Sequence, residues 1–517
     1  MSPSHTSFLV HPGVRPQRQR YAPTIFLARV ITRRLNNYSS PSPHRACIHI
    51  LDDDAIFNIF CLYRTILFDE GGADDRYLLL GGDWARERWW QRLARVCSRW
   101  RKLILESPSS LRLCLVCTYG TPVAEMFAHS PPLPLVIDYA DQDREVTAED
   151  EEGMLLALRQ RDRVRRIRLH VPTSKLRKSL LAMNAEFPML EDLYVAPRTK
   201  HIANLTLPRS FQAPNLQRLA LTHFAFPIKS PLLTTASGVG LVTLSLRKVH
   251  PSAYFRPNDL LQLLLLVPQL ETLSVTFHYS PVLNHDVGMR LSHTPIKTSV
   301  TLPNLRYFRF GGVSAYLEVL LPQITTPLLE RLQILFFNQL TFSVPHLLHF
   351  ISATKKIVFS SAKFMFSDEG VAVKGYPYEG ARTHTFFMHV GCRPLDWQVS
   401  STAQIFDALR PLCSAVMYLV LGYKERNPLL KWHNEADRAQ WRDLLRSFSN
   451  VKTLRVHNGL VRDLSRSLQS DDGESPLELL PELKELVYSA GSDATDAFTA
   501  FIDARQIAGR PVALVHP

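Results

Sequence analysis

The 517-residue sequence holds 46% apolar and 21% charged residues, ordinary usage for a chain that buries a core, which excludes a disordered polyelectrolyte. Its formal charge of +13 is unevenly placed: no acidic residue precedes Asp52, and Arg15, Arg18, Arg20, Arg29, Arg33, Arg34 and Arg45 put +7 in the first 51 positions. A body left with +6 argues against a strongly basic nucleic-acid fold, so nucleic acid is not an expected partner.

Residues 1–45 mix Pro, Ser, Arg and His around one apolar patch, Ile25–Ile31, and predict a basic, mobile extension. An acid-free, Arg- and Ser-bearing start also fits a mitochondrial presequence, the less favoured reading. A secretory signal does not fit, because Arg15, Arg18 and Arg20 break the apolar run it needs. The seven cysteines (Cys47, Cys61, Cys97, Cys114, Cys117, Cys392 and Cys413) are odd in number and sit mostly in apolar runs, the pattern of reduced, packed thiols. The expected compartment is therefore intracellular, cytoplasmic or nuclear. The longest apolar stretch, Leu263–Pro268 with its neighbours, falls far short of the roughly 20 residues that span a bilayer, so no membrane association is expected.

Residues 46–113 predict a small all-helical segment. The acidic triplet Asp52-Asp53-Asp54 opens a helix, with Asp52 or Asp53 as its cap, and Ile56, Ile59, Phe60 and Tyr63 follow at helical spacing. A second helical region runs from Trp89 and Trp90 to Ile104, with Leu93, Val96 or Cys97, Trp100, and Leu103 or Ile104 on one face. Here the sequence resembles the F-box: Val96-Cys97-Ser98-Arg99-Trp100-Arg101-Lys102-Leu103-Ile104 matches the second half of that pattern, and Ser107-Pro108-Ser109-Ser110-Leu111 its ending. Two features depart from the pattern, Asp52 in place of the proline after Leu51 and a long connection over Leu62–Arg88. The resemblance implies docking on a Skp1-like adaptor, and through it a cullin, by Leu51, Ile56, Ile59, Phe60, Val96, Cys97, Trp100, Leu103 and Ile104.

Residues 114–158 are expected to connect this segment to the next. Cys114 and Cys117 form a CxxC, but no second cysteine pair lies nearby at metal spacing, so a buried strand is expected there and a metal is not. Arg159, Arg161, Arg163, Arg165, Arg166 and Arg168 make the one dense basic run of the body, downstream of an acidic run from Glu145 to Glu152. Self-pairing or a solvated rim is expected of these arginines, since no aromatic side chain interleaves them to stack on bases.

From residue 159 to the end a motif recurs, written P-x-L-x-x-L-x-(apolar). It begins at Pro188, Pro214, Pro268, Pro303, Pro327 and Pro481, and returns without proline at Val164, Leu241, Val416 and Val451. Most neighbouring copies stand 24 to 35 residues apart, close to the period of leucine-rich repeats. The last two apolar positions differ by two, the pleat of a short strand, so both enter one core. Helices are expected between copies, opened by Ser174, by Asn258 and Asp259 after Pro257, and by Asp437. One strand and one helix per repeat predict an α/β solenoid with parallel strands and outer helices. Residues 360–402 break the rhythm, which predicts either diverged repeats or an inserted loop or hairpin.

None of the phosphate-loop, dinucleotide-loop, zinc-protease or nucleophile-elbow motifs occurs, so no catalytic residue, metal or cofactor is expected and the chain is read as a non-enzyme. An F-box followed by leucine-rich repeats resembles the substrate receptors of cullin-RING ubiquitin ligases, similar also to fungal F-box-like families through the Trp89–Trp100 and Leu115–Pro122 segments. The resemblance implies an SCF-type adaptor whose repeats select an unknown protein target. The alternative is a leucine-rich-repeat scaffold that acts without the ligase.

Overall fold

The computed structural model describes residues 51–69, 88–198, 205–226, 232, 240–278, 298–337, 339, 341–424, 437–469, 477–488 and 496–515. The expected extension at 1–45, and most of the long connection after Leu62, lie outside these residues. The chain divides into two compact units, Met1–Cys61 and Leu62–Pro517. Of the first unit the described part opens the helix Asp53–Asp69, with Asp53 and Asp54 in its first turn. Asp52 is the cap: its Oδ1 accepts the Ala55 N–H at 2.6 Å.

The second unit is built on a parallel sheet. Its strands are β1 Leu115–Thr118, β2 Leu135–Tyr139, β3 Val164–Val171, β4 Asp192–Pro197, β5 Arg218–Thr222, β6 Thr243–Val249, β7 Thr272–Phe277, β8 Val300–Thr301 and β9 Tyr307–Gly312. They continue as β10 Ile324–Thr325, β11 Arg331–Phe336, β12 Ser361–Ser367, β13 Gly370–Tyr376, β14 Phe386–Val390, β15 Tyr418–Lys424, β16 Thr453–Val456, β17 Glu485–Tyr488 and β18 Ala513–Val515. Sixteen of them form one sheet in the order β1-β2-β3-β4-β5-β6-β7-β9-β11-β14-β13-β12-β15-β16-β17-β18, while β8 and β10 pair separately.

The repeat motif explains how each strand is launched. In every proline-bearing copy the first leucine donates its N–H to the residue before the proline: Leu190 to Phe187 at 3.2 Å, Leu216 to Ala213 at 3.2 Å, and Leu270 to Val267 at 3.3 Å. The same bond joins Leu305 to Leu302 and Leu329 to Thr326, both at 3.3 Å, and Leu483 to Leu480 at 3.0 Å. Each is a β-turn with proline at its second position, where the ring already holds the required φ and no N–H is needed. The turn drops the first leucine into the core, and the next two apolar residues follow it on one face of the strand. Leu190, Leu193 and Val195 are all fully buried, as are Leu270, Leu273 and Val275.

Between strands the helices close the same core. Helix Pro257–Leu265 buries Leu260, Leu261 and Leu264, and Asp259 accepts the Arg256 N–H at 3.2 Å. Helix Arg438–Arg446 buries Trp441, Leu444 and Leu445 under an Asp437 cap. Ser174 is not a cap: helix Thr173–Ala182 starts one residue earlier, because Leu176 donates its first helical bond to the Pro172 carbonyl at 2.9 Å.

One expectation changes and another is narrowed. Residues 114–158 are not a connection but the first turns of the solenoid, supplying β1, β2 and the helix Ala148–Leu158. They lack the leucine motif, yet Leu115, Cys117, Leu135, Ile137 and Tyr139 alternate into the same core. Residues 360–402 take the hairpin form of the expectation for them rather than the loop. They form an antiparallel meander, β12-β13-β14, that lies inside the sheet, with β14 parallel to β11 and β12 parallel to β15. The chain therefore skips two sheet positions after β11, returns, and uses helix Leu395–Ala408 to cross back to β15.

The meander turns at Gly370, whose φ is +149° and where a Cβ would stand 2.2 Å from the Val390 carbonyl oxygen. Gly370→Ala is expected to destabilise the fold by about 1–3 kcal/mol or more, combining backbone strain with that clash. Gly380→Ala, at φ +80° with open space around it, should cost less. Denaturant midpoints of the two variants would decide whether the inserted strands belong to the cooperative core.

Candidate functional site

The segment at the start of the second unit caps the sheet. In β1, Leu115 donates toward β2, to the Pro134 carbonyl at 2.8 Å, so the carbonyls of Cys114 and Val116 face the free edge. Trp90 Nε1 donates to Cys114 O at 3.1 Å, and Arg88 Nη2 donates to Val116 O at 3.2 Å and to Thr121 Oγ1 at 3.0 Å. Side chains thus satisfy an edge that would otherwise invite another strand. Trp90→Phe keeps the bulk and removes the donor, so a loss of about 1–3 kcal/mol is expected in chemical denaturation. An unchanged midpoint would show that the Cys114 carbonyl is served by solvent.

The nine residues singled out for adaptor docking fall into two classes. In the first unit Ile56 and Phe60 are buried, Ile59 is half-buried and Leu51 is 37% exposed. In the second unit Trp100 and Ile104 are buried, Leu103 and Cys97 are half-buried, and Val96 is 53% exposed. The expected single helical face from Leu93 to Ile104 is broken. Helix Trp89–Leu93 ends, and Cys97 in extended backbone caps a new helix, Ser98–Glu106, its Sγ accepting the Trp100 N–H at 3.5 Å. Arg101 Nε reaches back to the Ala94 carbonyl at 3.1 Å, and the break turns Val96 outward.

Cys114 and Cys117 are buried thiols that form no disulfide, and an odd separation on extended backbone sends them to opposite faces. Burial pushes the Cys117 thiol up to about 12, so it behaves as a packed side chain rather than a ligand or nucleophile. Four of the six arginines at 159–168 have partners, and none of those partners lies in the acidic run upstream. Arg165 meets Glu191 at 2.9 Å, Arg166 meets Asp192 at 3.4 Å, Arg168 meets Asp138 at 3.7 Å, and Arg163 donates twice to the Leu133 carbonyl. Stacking of parallel strands brings Asp138 and Asp192 beside the arginines, whereas Glu151 is taken by Lys175 and Lys178 and Asp150 caps its own helix.

A second site was not visible as a run. Strand side chains that do not enter the core line the sheet's other face, and from β5 to β16 the ten strands of the main sheet contain no Asp or Glu. They carry Arg218, Arg247, Lys248, Arg309, Arg331, Lys363, Lys374, Lys424 and Arg455. None, one or two cations per strand are unremarkable in sequence; stacking of the strands turns the set into a basic stripe. The signal that could have found it is the absence of acids at strand positions from the third motif copy to the ninth.

Two cavities open on this stripe. The larger, about 430 Å³, is bordered by Arg198, Arg247, Lys248 and Arg309, with His170, His223 and His278 between them. The other, about 320 Å³, shares Arg309 and adds Lys374, Gln333, His384 and His389. Among the described residues no carboxylate lines either cavity. His223 (φ +58°) and Lys248 (φ +48°) hold left-handed backbone at the ends of neighbouring strands, and the Lys248 N–H is fixed by Thr276 Oγ1 at 2.9 Å.

Burial, then Lys248, His278 and His250, pulls the His223 imidazole down to about 4 from its ordinary 6.5, and His170 is lowered by burial and Arg198. Between those two values for His223 the unfolded chain takes up a proton that the folded cavity refuses. The stability is therefore full above pH 6.5 and is lost as pH falls toward 4. Thermal unfolding is expected to shift downward between about pH 7 and pH 5, and His223→Asn, which tolerates the left-handed backbone, should make the shift shallower. An identical pH dependence in the variant would exclude His223 as a source.

The chain thus has the mixed α/β architecture of a leucine-rich-repeat solenoid, a large, mostly parallel sheet with outer helices. No family model matches the sequence, and no curated protein matches it. Among solved structures it is similar to TLR13 in its complex with ssRNA13, at 11% identity and a TM-score of 0.29, over 75% of this chain and 48% of that one. It is also similar to the leucine-rich repeat-containing protein LegL7 from Legionella pneumophila, at 12% identity and a TM-score of 0.26, over 78% of this chain and 99% of that one. The chain spans about half the length of the TLR13 chain. Among the described residues no helix is long and apolar enough to cross a membrane.

Proposed function

We propose that the protein is a non-catalytic interaction protein whose solenoid holds a target protein, and that its F-box-like segment presents that target to an SCF-type ubiquitin ligase through a Skp1-like adaptor and a cullin. The observation that carries the interaction reading is the long sheet face left outside the core, the surface on which stacked-repeat proteins hold partners. What supports the adaptor is the resemblance at Val96–Ile104 together with large apolar side chains left exposed beside it. Val96 is 53%, Leu62 62% and Leu105 38% exposed, although the neighbouring Trp100 and Ile104 are buried. Exposed apolar side chains on a short helical segment gain by being covered.

The division between buried and exposed residues decides the experiment. Trp100→Ala would cost about 3–5 kcal/mol through lost packing and would confuse unfolding with lost docking. Val96→Asp and Leu105→Asp change exposed positions and leave the core alone. The full chain is expected to co-purify with a Skp1-type adaptor, and the double variant to lose at least about tenfold in retention with an unchanged thermal midpoint. No retention of the wild type, or equal retention of both, would sink the ligase reading and leave the scaffold that acts without it.

A further inference from the structure

The basic stripe and its two cavities have no role in adaptor docking. Within a body that carries a formal +6, ten strands contribute nine lysines and arginines and no acid, so the sheet face concentrates positive charge that the rest of the surface balances. At the β2–β5 end of the sheet the strand carboxylates are already engaged. Asp192 holds both Arg166 and Arg218, and Asp138 holds Arg168, all on β2 to β5. Arg309 stands further along, shared by both cavities, and its Nε is buried with no hydrogen-bond partner. A buried guanidinium N–H without an acceptor among the described residues is costly, and at Arg309 it belongs to a side chain that borders both open cavities.

We propose that the two cavities form one binding trough for a phosphorylated peptide segment of the target, with the phosphate held among Arg247, Lys248 and Arg309. This rests on the reading of the solenoid as a target-binding surface. Four cations around one cavity exceed what a single carboxylate can satisfy, whereas a phosphate monoester brings nearly two charges and three acceptor oxygens. From β6 to β13 the sheet spans five strand spacings, about 24 Å, the reach of roughly seven extended residues. Lys374, at the β13 end, would take a second acidic group of the same segment. A nucleic-acid strand carries the same phosphate chemistry, but its bases need exposed aromatic faces. Among the described residues the trough is bordered by Tyr194, 7% exposed under the Arg168 guanidinium, and by Phe387, half-buried against the His384 ring, which is no run of open aromatic faces. The inserted meander supplies Lys374, His384 and His389, which gives a reason for strands in the sheet that break the repeat.

The test is fluorescence anisotropy on the full chain with a labelled nine-residue peptide bearing one central phosphoserine flanked by glutamates. The phosphopeptide is expected to bind at least about tenfold more tightly than its unphosphorylated form, with affinity falling as salt rises. Arg309→Gln with Lys248→Gln should weaken it by at least about tenfold at an unchanged thermal midpoint, and Lys374→Gln alone by less. Should the double variant fail to fold, Lys374→Gln and the single Arg309→Gln carry the test. Equal binding of the two peptides, displacement by inorganic phosphate at the peptide's own concentration, tighter binding of a ten-nucleotide oligouridylate, or indifference to the substitutions would each overturn the proposal. Retention of a Skp1-type adaptor by the same variants separates this failure from failure of the ligase reading, because none of these cations lies in the F-box-like segment.

Discussion

One backbone carbonyl per repeat sets the geometry of everything downstream. At the start of each strand it accepts N–H groups from two successive residues of the next repeat. Glu191 O accepts from Gln217 and Arg218, both at 2.9 Å, and Gln217 O from Val242 at 2.8 Å and Thr243 at 3.0 Å. Arg306 O repeats the pattern with Glu330 at 2.9 Å and Arg331 at 3.0 Å, and Lys452 O with Lys484 at 2.8 Å and Glu485 at 3.0 Å. Both N–H groups leave the β-turn that the first leucine closes, so core burial and ladder register are coupled. A slip by one residue would turn the core side chains out and the cations in, which the hydrophobic face forbids. The basic stripe is in this sense a by-product of the leucine motif: whatever stands between two core positions is delivered to the other face.

That coupling also explains which parts were legible in the sequence. All ten motif copies lie on strands, from Val164 on β3 to Pro481 before β17, because turn proline, first leucine and alternating pair are local signals. Of the first strands, which lack the motif, β1 is legible only as a buried strand around Cys114 and Cys117, and β2 carries no such signal. β1 and β2 are four and five residues long and are buried along their whole length, so they show no alternation. The meander was visible as a break in rhythm and as alternating residues such as Phe364 and Phe366, but its position inside the sheet depends on long-range pairing with β11 and β15. At the F-box-like segment the helical period was legible and the break at Ala94–Cys97 was not, since a cysteine cap has no strong sequence signal.

The meander is the largest departure from a regular solenoid and is stabilised on both sides. β14 continues the parallel ladder of β11, and β12 starts the one carried on by β15, so the antiparallel pairs lie between two regular arrays. Its core face is aromatic: Phe364 packs against Phe406 at 5.0 Å and Phe448 at 5.8 Å, and Phe366 against Trp441 at 5.2 Å. Such contacts tie the insertion to the helices Leu395–Ala408 and Arg438–Arg446 that follow it. A loop of the same length could carry Lys374 and His389, but only strands locked into the sheet hold them at a fixed distance from Arg309.

Charge placement on the two sheet faces is governed by different terms. On the core side a lone charge would be expelled by desolvation, and Arg505 shows how the exception is handled: fully buried, it donates to the carbonyls of Pro481 at 3.1 Å and Leu483 at 3.2 Å, in the turn that launches β17. On the other face water remains, so the cations, with Lys363 and Lys374 as register partners and Arg309 and Lys374 three strand spacings apart, repel one another only through a high dielectric. The sheet can therefore hold such a row at modest cost as long as its helices supply the stability. The same row loses that screening once a partner covers it and excludes water. Its like charges then work against any neutral or basic surface and in favour of an anionic one, so the selectivity of the face is set by the repulsion it would otherwise suffer.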